Sequence, residues 1–146
     1  MKPTSWPIIG QARAVNFFEK LLAYEQTTPG ALGGTYIMSG PSGSGKTTLL
    51  DHFLKTFSEV SETITGVYEI ASLGLLPEKK EISVSQARDF NRRLTLSTFG
   101  RGYRIGVITE AEQLSTEAAN ALLKTLEEAR AGVMVFLLTT DADRLP

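Results

Sequence analysis

A chain of 146 residues, 42% hydrophobic and 21% charged, is enough for one domain built around a single core. Its formal net charge of −1 supplies no global basic field for nucleic acid, while leaving room for a local basic patch. Cysteine is absent and His52 is the one histidine, which excludes disulfides and thiolate metal sites and argues against a zinc site built by the protein alone.

The start, Met1-Lys2-Pro3-Thr4-Ser5-Trp6-Pro7, leads into no apolar signal core, and no run reaches the length of a membrane span, so a cytoplasmic protein with no membrane partner is expected. From Ala12 to Tyr24, the residues Ala14, Val15, Phe18, Leu21 and Leu22 fall on one face at helical spacing. Gln26 to Gly34 has the composition of a loop, and Thr35 to Ser39 is a short β-rich run. Gly40 to Thr47 then reads Gly-Pro-Ser-Gly-Ser-Gly-Lys-Thr, a complete phosphate-binding loop of the G-x-x-x-x-G-K-[ST] type. Behind it Leu49, Leu50, Phe53, Leu54 and Phe57 recur at helical spacing, so strand, glycine loop and helix follow in the order that triphosphate binding needs.

A second strand is predicted over Gly66 to Ile70, and Ser72 to Ile82 reads as loop or insertion. Ser83-Val84-Ser85-Gln86 has the capping-box form and opens a helix through Ala87, Phe90, Asn91 and Leu94. The nearly continuous apolar run Arg104 to Thr109 is a strand covered on both faces, ending at Glu110. Ser115 caps a helix from Thr116 to about Arg130, with Ala118, Ala119, Leu122, Leu123 and Leu126 on its buried side. Val133 to Thr139 is a fourth strand. This alternation specifies a three-layer α/β sandwich with a parallel sheet, and the phosphate loop makes it a P-loop NTPase fold.

The loop residues Gly40, Pro41, Ser42, Gly43, Ser44, Gly45, Lys46 and Thr47, with Thr48 behind them, are the candidate ATP ligands. Lys46 can neutralise the outer phosphates, and the Thr47 hydroxyl is the candidate Mg²⁺ ligand. In P-loop ATPases the end of a neighbouring apolar strand presents acids to Mg²⁺ and to the attacking water. Here that end is Val107-Ile108-Thr109-Glu110, so Glu110 is the candidate water-orienting acid, while a neutral Thr109 stands where a magnesium-side acid would be. Losing a unit charge about 5 Å from a divalent ion costs on the order of several kcal/mol, which makes hydrolysis the vulnerable step. Thr140 is a second catalytic candidate, at the tip of the strand expected beside the loop strand. Each has a plainer reading: Glu110 as a solvated acid, Thr140 as a strand-ending threonine. Glu112 and His52 read as surface and structural residues respectively.

Taken together these residues resemble the AAA+ ATPase domain of DNA-polymerase clamp loaders, and among them the bacterial delta-prime-like subunits of DNA polymerase III. The run Ala118-Ala119-Asn120-Ala121-Leu122-Leu123-Lys124-Thr125-Leu126-Glu127-Glu128 is similar nearly letter for letter to the helix that follows the acidic strand end in that family. Trp6-Pro7-Ile8-Ile9-Gly10-Gln11 resembles its N-terminal box, which implies Ile8 and Ile9 at the adenine pocket, and Val135 to Asp141 resembles the sensor-1 strand, with Thr140 at the sensor position. The resemblance implies a subunit of a hetero-pentameric ring that binds ATP with Mg²⁺, opens a sliding clamp and places it on primed DNA. The neutral Thr109 is shared with delta-prime-like members and implies weak or no hydrolysis. The family's four-cysteine zinc module is missing, and Ala129 replaces a usual proline. Family members continue past Leu145-Pro146 into a fifth strand, a lid and a collar, so the expectation is an N-terminal fragment whose loop strand lies at a sheet edge. Two other readings stand beside this one, a small P-loop phosphotransferase and another AAA+ motor such as a branch-migration helicase. DNA contact through Ser85 or Ser115 at helix N-termini is a further expectation.

Overall fold

The sheet is the frame on which everything else is placed. In the computed structural model, which describes residues 12–41, 43–61, 67–95, 102–127, 131–140 and 145, four parallel strands lie in the order β1-β4-β3-β2. They are β1 (Gly34–Ser39), β2 (Val67–Leu73), β3 (Tyr103–Ile108) and β4 (Val133–Thr139), and the helices are α1 (Ala12–Thr27), α2 (Lys46–Ser61), α3 (Val84–Thr95) and α4 (Thr116–Glu127). After β1 the chain crosses through α2 to the far edge, then returns strand by strand through α3 and α4 until β4 lies beside β1. The order reverses at β1 and β4, so their carboxyl ends form the crevice where ligands of open α/β sheets bind.

Strand alternation divides the core into two. On one face Met134, Phe136 and Leu138 of β4 join Ile105 of β3 with Phe18 and Leu22 of α1 and Leu49, Phe53 and Phe57 of α2. On the other, Val135 and Leu137 of β4 join Ile108 of β3, Phe90 and Leu94 of α3, and Ala118 and Leu122 of α4. The first face is aromatic: Phe18 stacks on Phe53 with centroids 4.5 Å apart, and Phe57 meets Tyr103 edge-on at 5.0 Å. Burial on both faces explains why β3 and β4 read as unbroken apolar runs.

The capping signals act as their residue types require. Ser83 N–H donates to Gln86 Oε1 at 3.1 Å and Gln86 N–H to Ser83 Oγ at 3.3 Å, closing the capping box of α3. Ser115 Oγ accepts the Ala118 amide at 3.0 Å at the head of α4. Some expectations need correction. β2 runs on to Leu73, taking in residues expected to be loop, and β3 stops at Ile108, one residue short of Thr109. Leu123, expected on the buried side of α4, is 50% exposed, because α4 meets the sheet and α3 along the narrower stripe of Ala118 and Leu122. Residues 128–130, where that helix was expected to end, lie outside the described residues. β1 has a strand neighbour on one side only among the described residues, and Ile37 on it is 54% exposed.

At the pole away from the crevice, a buried polar knot ties α1 to β3. Tyr103 Oη donates to Glu25 Oε1 at 2.5 Å and accepts the Leu32 amide at 3.0 Å, while the Gly30 amide donates to the same carboxylate oxygen at 3.0 Å. Burial first, and then the hydrogen bond to Glu25, push the Tyr103 phenol well above its ordinary value of 10.0. The unfolded chain therefore ionises this tyrosine first, so its contribution to stability is intact below pH 10 and declines above it. Tyr103→Phe is expected to cost about 1–3 kcal/mol at neutral pH, because it strips a donor from a buried carboxylate. It should also flatten the alkaline fall in stability, and urea denaturation across that range checks both.

Candidate functional site

The phosphate loop leaves β1 at Ser39, and the Gly40 amide donates to Thr139 O at 3.2 Å, fastening the start of the loop to the next strand. Gly43 and Gly45 have φ values of 80° and 87°, in the region that an L side chain adopts only under strain. A 3.1 Å bond from the Ser44 amide to Pro41 O closes the turn, which feeds into α2 at Lys46. The first amides of that helix and its dipole favour an anion at this point. Lys46 Nζ donates to the loop's own carbonyls, Gly40 O at 2.5 Å and Pro41 O at 3.0 Å, so the ammonium is held over the loop.

The acidic side is set by how β3 ends. The Thr109 amide donates to Leu73 O at 2.9 Å, which keeps it beside the end of β2. Thr109 Oγ1 would lie 2.5 Å from a Cβ added at Gly74, so a side chain there would force the threonine hydroxyl to shift. Glu110 follows with φ 54° and ψ 46°, a left-handed conformation that is uncommon outside glycine. It introduces a 3-10 turn, Ala111–Gln113, that returns the chain towards the end of β4. There Glu112 Oε1 accepts the Thr139 hydroxyl at 2.8 Å and the Thr140 amide at 3.0 Å.

Between these elements lies a cavity of about 360 Å³, lined by Lys46 and Thr47 on one side, Thr109, Glu110 and Glu112 on another, and Leu138, Thr139 and Thr140 at the strand end. Lys46, Thr47, Glu110 and Thr140, proposed from sequence at three separate places, are thus brought to one space. Thr48 is exposed on the first turn of α2 and does not line it. Ile8, Ile9 and Ser42 lie outside the described residues. An ammonium, hydroxyls and carboxylates are the donor set that suits a polyphosphate with a hard divalent cation. Among the described residues no group of three or more His, Asp or Glu side chains gathers as a metal site of its own.

Glu112 is the residue the sequence reading missed. It was expected at the surface, and it is part-buried and engaged at the cleft. Its place depends on the left-handed Glu110, which has no local sequence signal. His52 sits half-buried in α2 and away from the cavity lining. Ser115 is 7% exposed and faces its own helix, whereas Ser85 is exposed. Arg92 pairs with Asp89 at 2.7 Å on the solvent side of α3, a surface ion pair. A second cavity of about 490 Å³ runs along β1 beside Arg13, Phe17, Tyr36 and Ile37, and Lys46 borders it too. No helix among the described residues is long and apolar enough to cross a membrane.

The chain is 31% identical over 123 residues to the DNA polymerase III subunit tau of Bacillus subtilis, covering 76% of this chain and 22% of that protein. It is 30% identical to the subunit gamma of Buchnera aphidicola over 95% of this chain and 40% of that one. A shorter stretch of 63 residues is 43% identical to the subunit delta' of Haemophilus influenzae, covering 43% of this chain and 19% of that protein. The chain therefore spans well under half the length of the curated relatives it matches. Among solved structures, a DNA polymerase III gamma subunit-related protein from Thermotoga maritima superposes with a TM-score of 0.60 at 19% identity, covering 88% of this chain and 41% of that one. RuvB of the same organism superposes at 0.64 with 17% identity, over 94% of this chain and 41% of that one. Identities this low establish a shared fold, that of AAA+ P-loop ATPases. Residues 10–146 match the model of the family described as DNA polymerase III, delta subunit, and the chain belongs to that family of clamp-loader AAA+ subunits.

Proposed function

We propose that this chain is the nucleotide-binding domain of a clamp-loader subunit, taking ATP with Mg²⁺ at the Gly40–Thr47 loop and hydrolysing it weakly or not at all. The observation that carries the reading is the cavity in which Lys46 and Thr47 face Glu110 and Thr140. Lys46 neutralises the outer phosphates, the loop amides wrap them, and the Thr47 hydroxyl holds the cation. Mg²⁺, when bound, supplies charge neutralisation on the phosphate oxygens. Thr140 reads the terminal phosphate and Glu110 orients water, but Thr109 offers a hydroxyl where a second charge would steady the cation. That favours binding over turnover. The ring of partner subunits, the sliding clamp, primed DNA and a cytoplasmic setting belong to the same proposal, and they rest on the relatives' kinship to this chain.

A fluorescent ATP analogue with and without Mg²⁺ tests the reading. Magnesium-dependent binding is expected, with turnover by the chain alone no higher than that of its Lys46→Ala variant. Thr109→Asp is expected to tighten the magnesium-dependent part of binding by about tenfold, as one charge restored near a partly solvated ion would. No nucleotide binding would sink the proposal, and phosphoryl transfer to a small acceptor would favour the phosphotransferase reading.

A further inference from the structure

We propose that Glu112 is a positioning residue that clamps the Thr139–Thr140 peptide between the acidic turn and the phosphate loop, so that discrimination of ATP from ADP depends on it. The inference rests on the nucleotide reading above and adds a residue to that site.

The β3–β4 ladder ends at the pair Ile108 and Leu137, two residues before the end of β4. Past that point β4 keeps its pairing with β1, through Met38 with Leu138 and Ser39 with Thr139, but has lost β3, which has already turned into Thr109 and Glu110. A strand end paired on one side is held less firmly than one paired on both. Contacts from both sides nevertheless reach the Thr139–Thr140 peptide. On the β1 side, Thr139 O accepts the Gly40 amide at 3.2 Å. On the other side, the Thr140 amide donates to Glu112 Oε1 at 3.0 Å, and the Thr139 hydroxyl adds a second bond to the same oxygen at 2.8 Å. Glu112 thus takes the place of the missing strand, and the peptide carrying the candidate phosphate reader is held from both sides.

The anchor behind Glu112 is firm. Ala111 is fully buried, and the Ile82 amide donates to Gln113 O at 2.7 Å, while the Ser115 amide donates to Ile82 O at 3.1 Å. The turn is therefore fixed to the segment that leads into α3, and Glu110 and Glu112 flank the buried Ala111 on it. Thr140 is thereby tied to a fixed turn that also carries Glu110. Thr140 reaches only as far as the terminal phosphate in the reading above, so a loosened Thr140 weakens ATP and spares ADP.

Two substitutions separate this role from cation ligation by the same carboxylate. Glu112→Ala removes the acceptor, whereas Glu112→Gln keeps a carbonyl oxygen able to accept both bonds and removes the charge. In the intact chain, Glu112→Ala is expected to weaken ATP binding about tenfold, to leave ADP within about twofold, and to speed amide exchange at Thr140 about tenfold. Glu112→Gln should restore most of each. Exchange at Thr140 is measured without nucleotide by NMR, so the clamp stands or falls independently of whether ATP is the ligand. Unchanged exchange in Glu112→Ala would overturn the clamp. Equal loss of ATP affinity in both variants, with exchange restored in Glu112→Gln, would overturn positioning in favour of a charge acting on the cation. ATP and ADP weakened alike by Glu112→Ala would overturn the dependence on the terminal phosphate.

Discussion

Replacing Lys46 by alanine is expected to weaken binding of ATP with Mg²⁺ about 100-fold, the equivalent of roughly 2.7 kcal/mol and within the range of a pair of charge-assisted hydrogen bonds. The fold should barely notice. Lys46 is the first residue of α2, where alanine is an excellent helix former, and among the described residues its side-chain bonds run to Gly40 O and Pro41 O of the loop. In the proposed complex the ammonium would exchange two neutral carbonyls for anionic phosphate oxygens, a gain that favours binding. Lys46→Arg is not a conservative rescue, because a planar fork cannot occupy the compact position over the loop. Equilibrium titration with a fluorescent analogue, alongside thermal melting, checks both halves of the expectation. A melting temperature that falls steeply in Lys46→Ala would show that the lysine is part of the fold, and equal affinities in the two proteins would remove the loop from the binding site.

Gly106→Ala is expected to destabilise the protein by about 1–3 kcal/mol, the usual cost of overpacking a core that has no slack. Gly106 lies in the middle of β3 with its missing side chain directed at α3. A Cβ there would come within 2.5 Å of Phe90 Cζ and 2.8 Å of Leu94 Cδ1. Both side chains are buried, at 2% and 1% exposure, so neither can swing into solvent to make room. The sheet and α3 would have to separate, and α3 carries with it the Ile82 segment that anchors the acidic turn. Gly106→Val should cost more, and Phe90→Leu should recover part of the loss because it withdraws the ring atom in closest approach. Urea denaturation of the single and double variants measures this coupling. A cost for Gly106→Ala below about 0.5 kcal/mol, the scale of an indifferent surface change, would mean that the packing is looser than these distances.

Both expectations depend on residues whose type was legible and whose neighbours were not. Gly40 to Thr47 could be read directly because a phosphate loop is a contiguous device, with its glycines, lysine and threonine at fixed offsets. Ser83 with Gln86, and Ser115 with the helix behind it, were legible for the same reason: a cap acts on amides three residues away. The layers were legible from period, since β3 and β4 are apolar on both faces and the helices on one. Gly106 read only as part of an apolar run, because nothing near it in sequence indicates that Phe90 occupies the space of its side chain. Leu123 was misassigned because helical spacing marks a broad apolar face, while contact with the sheet and α3 uses a narrower one. Glu25 and Tyr103 meet across 78 residues and carried no signal at all.

The sequence by itself determined the order of strands and helices, the three-layer class, the phosphate-loop motif, and the neutral Thr109 ahead of Glu110. Each of these depends on residues within about one helical turn or one strand of each other, where backbone geometry alone fixes which side chains meet. The tertiary structure decided that Glu110 turns left-handed after β3 and that Glu112 returns to hold the last peptide of β4. Those contacts join segments distant in the chain, and their geometry is set by sheet order and by burial of both faces at once, which no local window of residues can specify.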